Sequence, residues 1–186
     1  VVNASKVVTD ANEVSNIVSG IKSSFESNYT KSFDGNNFSA SMNSLMNDGK
    51  AITEGLAIIL YDAKTTEKDG KIELVTGSSK AGETQNNMIK VAVSIDGKPR
   101  TQEDINRTAS HELGHSGGLY HPWNKENDIE DIKQGSPNVS NETIKANLMN
   151  SNENPKLKSM ATKGTEVTKG QMEKIKGTVE KQQPKK

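Results

Sequence analysis

One stretch constrains this chain more than any other: His111-Glu112-Leu113-Gly114-His115-Ser116-Gly117-Gly118-Leu119-Tyr120-His121, which contains all of its histidines. Residues four apart on a helix share a face one turn apart, so the imidazoles of His111 and His115 can converge on a single ion. Glu112 is displaced by about 100° around the same helix, which keeps its carboxylate beside the ion and off it, where a general base belongs. Gly117 and Gly118 supply the backbone freedom that a helix end and a sharp turn require. His121 can then swing back as a third ligand. The spacing therefore predicts a metal site with His111, His115 and His121 as ligands, Glu112 as the catalytic residue, and Gly118 at the turn to the third ligand.

Three neutral imidazoles and a water form the open tetrahedral zinc site expected of a hydrolase, whereas structural zinc sites close all four positions and usually use thiolates. The chain has no cysteine, which excludes a thiolate site and any disulfide staple. Zinc held in this way lowers the pKa of its water to about 7 and polarises a carbonyl oxygen. Glu112 would take the water's proton and pass it to the leaving amine. Each histidine taken singly reads as a surface or satisfied core residue. In register with one another, with Glu112 and with Gly118, they read as a metal site.

His111, Glu112, His115, Gly118 and His121 meet every specified position of H-E-x-x-H-x-x-G-x-x-H, and here the chain resembles the metzincin clan of zinc endopeptidases. The resemblance implies a metalloprotease that binds one catalytic Zn2+ and hydrolyses peptide bonds. It implies a zincin-like α/β fold: a twisted mixed sheet with an antiparallel edge strand, a backing helix, an active-site helix, and an irregular C-terminal subdomain ending in a helix. These would form one catalytic domain over 1–186, with an N-terminal subdomain over 1–116 and a C-terminal subdomain over 117–186. The clan also carries a methionine turn beneath its zinc, for which Met149 in Asn147-Leu148-Met149-Asn150 is the candidate, and its substrates add to the sheet edge as an extra strand. Pro122 after the third histidine is similar to the serralysins. No tyrosine follows Tyr120 and no glycine-rich calcium repeats occur, so a fifth, tyrosine ligand is not expected. The run from Val167 to Gln171 looks like the opening of the last helix of some bacterial metzincins.

A length of 186 residues suits one domain. Hydrophobic residues at 31% and aromatics at 4% fall below the globular average, so much of the chain should be loop or solvated surface. Basic and acidic residues balance at 24 each, which gives no electrostatic reason to expect nucleic acid or an anionic membrane as partner. The expected partners are a protein or peptide substrate and a propeptide or inhibitor protein. No run approaches a membrane span, the most apolar being Leu56 to Tyr61. Val1-Val2-Asn3 does not resemble a signal peptide, so a mature or excised domain of a larger precursor is expected, secreted or delivered as an effector. Two rival readings are a toxin or effector peptidase excised from a larger secreted protein, and a non-catalytic zinc-stabilised protein-binding module. A base at Glu112 argues against the second, since a purely structural site needs none.

Along the chain, Val7 and Val8 are expected to close a short first strand, and Asp10 to cap a helix whose core stripe is Val14, Ile17, Val18, Ile21 and Phe25. Residues 29–49 have the composition of turns, with Phe33, Phe38, Met42 and Leu45 as anchors and a weak second strand. Leu56 to Tyr61 reads as a central strand, Lys71 to Val75 after the Asp69-Gly70 turn as the edge region, and Met88 to Ile95 as another strand. Thr101 and Asp104 open the next helix, with Ile105, Ala109 and Leu113 on its buried face. This alternation independently indicates a mixed α/β layer. Further on, Asp128, Glu130 and Asp131 read as a solvated acidic loop in preference to a calcium site, and Pro155 to Gly170 as irregular. Met172, Ile175 and Val179 recur at helical spacing, before a frayed basic tail from Lys181 to Lys186. Tyr120 and Trp123, beside the third ligand, read as packing residues.

Overall fold

A computed structural model of the chain describes residues 1–43, 55–68, 71–74, 82–85, 88–157 and 163–182. Leu45, the Asp69-Gly70 turn, Val75, residues 158–162 of the irregular stretch and residues 183–186 of the basic tail lie outside the described residues. The fold is mixed α/β and divides into two compact units, Val1–Glu26 with Ser41–Ser116, and Ser27–Ala40 with Gly117–Lys186.

The first unit is built on a mixed sheet of strands β1 (Val2–Asn3), β4 (Ala57–Ala63), β8 (Met88–Ile95) and β7 (Gly82–Gln85), in that order, with β9 (Lys98–Pro99) also paired to β8. β1, β4 and β8 run parallel, whereas β7 and β9 run antiparallel to β8. Interior strands have to present apolar residues to both faces, and β8 does so through buried Ile89, Val91, Ala92 and Val93. Helix α1 (Ala11–Tyr29) starts where Asp10 accepts hydrogen bonds from the amides of Asn12 and Glu13, both at 2.9 Å. Its stripe of Val14, Ile17, Val18 and Ile21 packs into one core with Ile58 and Leu60 of β4, Ile89, Val91 and Val93 of β8, and Ile105 and Ala109 of helix α2 (Gln102–Ser116). Each buried valine, leucine or isoleucine among them contributes about 1.5–3 kcal/mol.

Two local expectations differ from the fold. The first strand ends at Asn3, and Val7 and Val8 lie in a turn whose amides donate to Ser5 Oγ at 3.1 and 2.9 Å, while the Val8 side chain enters the core. Lys71–Leu74 (β6) does not edge the main sheet. It pairs antiparallel with Thr65–Lys68 (β5) in a separate two-stranded sheet, and the polar β7 takes the edge. A strand that can close on its immediate sequence neighbour does so over a very short loop, where the entropic cost of closure is least.

The second unit contains the hairpin β2 (Lys31–Phe33) and β3 (Asn36–Phe38), where a single weak strand was expected. Its turn residues Asp34 and Gly35 have φ of 48° and 81°, the conformation that tight hairpins demand. Helices α3 (Asn141–Ala146) and α4 (Lys169–Gln182) follow. A core of Leu119, Ile129, Ile132, Ile144, Met149 and Leu157 is joined by partly buried Val139 and Ile175. The α4 stripe is shorter than its spacing suggests, because Val179 is exposed. Among the described residues no helix is long and apolar enough to cross a membrane.

Candidate metal centre

Helix α2 is fastened at its start by Thr101, whose hydroxyl accepts from the Asp104 amide at 3.2 Å and donates to its carboxylate at 2.7 Å, while Ile105 N bonds Thr101 O at 3.1 Å. Ile105 and Ala109 bury the inner face. That burial fixes the rotation of the helix, and with it the direction of His111 and His115. The Nε2 atoms of His111 and His115 lie 3.1 Å apart, with their rings at 85°. Two nitrogens each about 2.0–2.1 Å from one tetrahedral ion would be about 3.3 Å apart. The helix alone thus presents two donors at nearly the right separation.

Glu112 is buried, with 7% of its surface exposed. The Thr84 hydroxyl on β7 lies 2.8 Å from both its Oε2 and its backbone carbonyl oxygen, close enough to donate to either. Gly82, two residues earlier on the same strand, allows this approach: a Cβ there would lie 2.6 Å from Glu112 Oε1 and 2.7 Å from Thr108 Cγ2. The edge strand therefore sets the position of the carboxylate. Sequence reasoning missed both residues, and the sole signal available was a lone glycine in a polar segment ahead of the Met88 strand.

α2 ends at Ser116, whose hydroxyl donates to Leu113 O at 2.7 Å. Gly118 then adopts φ +85°, which an L side chain rarely tolerates, and a Cβ at this position would come within 2.8 Å of Thr178 Oγ1. Leu119 is buried in the second unit's core. A turn closed by Asn124 N to His121 O at 3.0 Å carries the third histidine. Within that turn the rings of His121 and Trp123 stack at 4.4 Å and 11°. One ring nitrogen from each of His111, His115 and His121 lies within 4.8 Å of the others, so the group could hold a metal ion. No second group of this kind occurs among the described residues.

Met149 is fully buried in the second unit's core, and its amide donates to Asn147 Oδ1 at 2.9 Å. Asn147 and Gln171, both buried, exchange side-chain hydrogen bonds of 2.8 and 3.1 Å. Gln171 also accepts from the Thr168 amide at 3.0 Å while its own amide donates to Thr168 Oγ1 at 3.3 Å, closing a capping box at the start of α4. The T-x-x-Q spacing could have disclosed the cap; nothing in the sequence pairs Gln171 with Asn147.

No family model, curated protein or solved structure matches this chain. The acidic residues downstream of the third histidine are engaged locally. Asp128 accepts from Lys174 Nζ at 2.8 Å, Asp131 from Thr168 Oγ1 at 2.8 Å and from Gly170 N at 2.9 Å, and Glu130 from Ser136 Oγ at 3.2 Å. Lys174 holds the exposed Asp128 carboxyl below its ordinary pKa.

Proposed function

We propose that the chain is a zinc-dependent endopeptidase with a metzincin-like, zincin-type catalytic domain. The observation that carries the reading is the conjunction of three clustered imidazole nitrogens with a buried carboxylate one residue from the first of them. An all-nitrogen set of three donors suits zinc and other first-row transition metals; calcium and magnesium require oxygen. Three ligands leave a fourth position open, as catalytic zinc needs and structural zinc does not. Bound zinc would supply Lewis acidity toward a carbonyl oxygen and lower the pKa of water at that position.

The remaining chemistry belongs to the chain's own residues. Glu112 accepts a proton on its carboxylate and delivers it to the leaving amine. Thr84 Oγ1 holds that carboxylate through Oε2, so the proton moves along a fixed direction. β7 ends the main sheet and runs antiparallel to β8, and an extended protein or peptide substrate can pair with such a strand through main-chain hydrogen bonds. The same strand would then align the scissile bond and hold the base.

The test compares native chain and Glu112→Gln for zinc content and for cleavage of a mixed peptide library. Both should retain about one zinc per chain, while cleavage by the variant falls about 10²–10⁴-fold. Undiminished cleavage by the zinc-loaded variant would overturn the role of Glu112. Zinc in both proteins with cleavage in neither would favour a non-catalytic zinc-stabilised module instead.

A further inference from the structure

His111 and His115 need no help to point at one place, because the helix period aims them. No helix period aims His121. It lies outside any helix or strand, and a loop imidazole loses its side-chain torsional freedom when it binds an ion. Resting on the zinc reading above, we infer that Trp123 is the positioning residue of the third ligand, a planar clamp that holds the His121 ring ready for metal.

The local geometry is suited to this task. Pro122 takes the second position of the turn from His121 to Asn124, where its fixed φ favours turn formation, and Gln134 N donates to Pro122 O at 2.8 Å to tie the turn down. The turn brings the indole over the His121 ring at 4.4 Å and 11°, a face-to-face contact. An imidazole binds metal through a lone pair in its ring plane, so a stack on its face restrains the ring while leaving the ligating edge open. Ligation draws electron density out of the imidazole and leaves it partly positive. The indole face, the strongest of the aromatic partners for positive charge, then holds it more tightly. Ordinary apolar packing would ask only for volume at residue 123; a clamp asks for a flat π face.

That distinction gives the test. Zinc affinity is measured by chelator competition on the folded, full-length chain for native, Trp123→Phe and Trp123→Leu, with circular dichroism of the metal-free proteins as control. Trp123→Leu should weaken zinc binding about 10–100-fold, the range seen when a residue supporting a metal-bound histidine is lost, and Trp123→Phe should recover most of it. Native-like affinity in Trp123→Leu would overturn the clamp and leave the zinc site standing. No zinc in the native chain would overturn the site and the clamp together. A second measurement is independent of variant folding. Trp123 is the chain's one tryptophan, so Co2+ bound beside its stacked partner should quench most of the native emission in step with metal uptake, and stoichiometric uptake with unchanged emission would also overturn the inference.

Discussion

The two units hold their candidate residues by different physics. On α2, His111, Glu112 and His115 follow at helical intervals, and the carboxylate between the two histidines is backed by a strand through Thr84 and Gly82. Beyond Ser116 the candidate residues lie outside helices and strands: His121 sits in a turn closed by Asn124, and Met149 in a turn held by Asn147. Backbone groups in irregular segments still need partners: the His121 turn finds them in other backbone groups, and the Met149 turn in the side-chain amide of Asn147. Geometry on a helix is written in spacing; the Met149 turn depends also on a pair far apart in sequence, Asn147 with Gln171.

The sharpest way to break this comparison is to remove one such pair. Gln171→Leu leaves the buried Asn147 amide and the Thr168 N–H without their partner, and orphaning buried polar groups costs about 3 kcal/mol in total. Chemical denaturation should show a loss of that size. Hydrogen exchange should accelerate at the Met149 amide while α2 keeps its protection. An unchanged unfolding midpoint would mean that something other than the amide pair holds the turn.

On the other side, Gly82→Ala sets a methyl 2.6 Å from Glu112 Oε1. The carboxylate must shift, and a misplaced catalytic group costs up to about 100-fold in rate. Under the peptidase reading kcat should fall by that order with KM and zinc content unchanged. A variant with native kcat would show that β7 does not set the base.

These contrasts explain what could be read in advance. The α1 stripe from Val14 to Ile21, the alternation through Met88–Ile95 and the Thr101 cap are local patterns, and the structure carries them, although Phe25, the last expected member of the stripe, is outside that core. The convergence of His111 and His115 has the same origin. β7 could not be recognised, because a polar four-residue strand shows no apolar alternation and its pairing with β8 is a long-range choice. The strand from Lys71 was legible from its alternation after a hairpin turn, but not its pairing with β5 in a sheet of its own, away from the main one. Trp123 was legible as an aromatic but not as a stacking partner, since one turn decides where its ring lies. Asn147 and Gln171 stand 24 residues apart and meet only in the folded second unit.

The smallest expected effect separates the two regions by pH. Burial alone would raise the pKa of Asp62, but hydrogen bonds from the Ser5 and Ser94 hydroxyls and the Lys6 and Val7 amides outweigh it and hold the carboxyl below its ordinary value. A folded value below the unfolded one means that the native state binds fewer protons. Its contribution is therefore full above the ordinary aspartate value of about 3.9 and is lost as pH falls through the lower folded value. Asp62 is partly exposed, so Asp62→Asn should cost about 1 kcal/mol or less at neutral pH, and the deficit should shrink as pH drops below about 4. No titrating group takes part in the Asn147–Gln171 pair, so the Gln171→Leu deficit should stay level over the same range. Denaturation curves for both variants down the acid limb measure this directly. Two deficits that fade together would mean that acid weakens the amide-held turn as much as the carboxylate-held sheet, and the physical distinction between the two regions would fail.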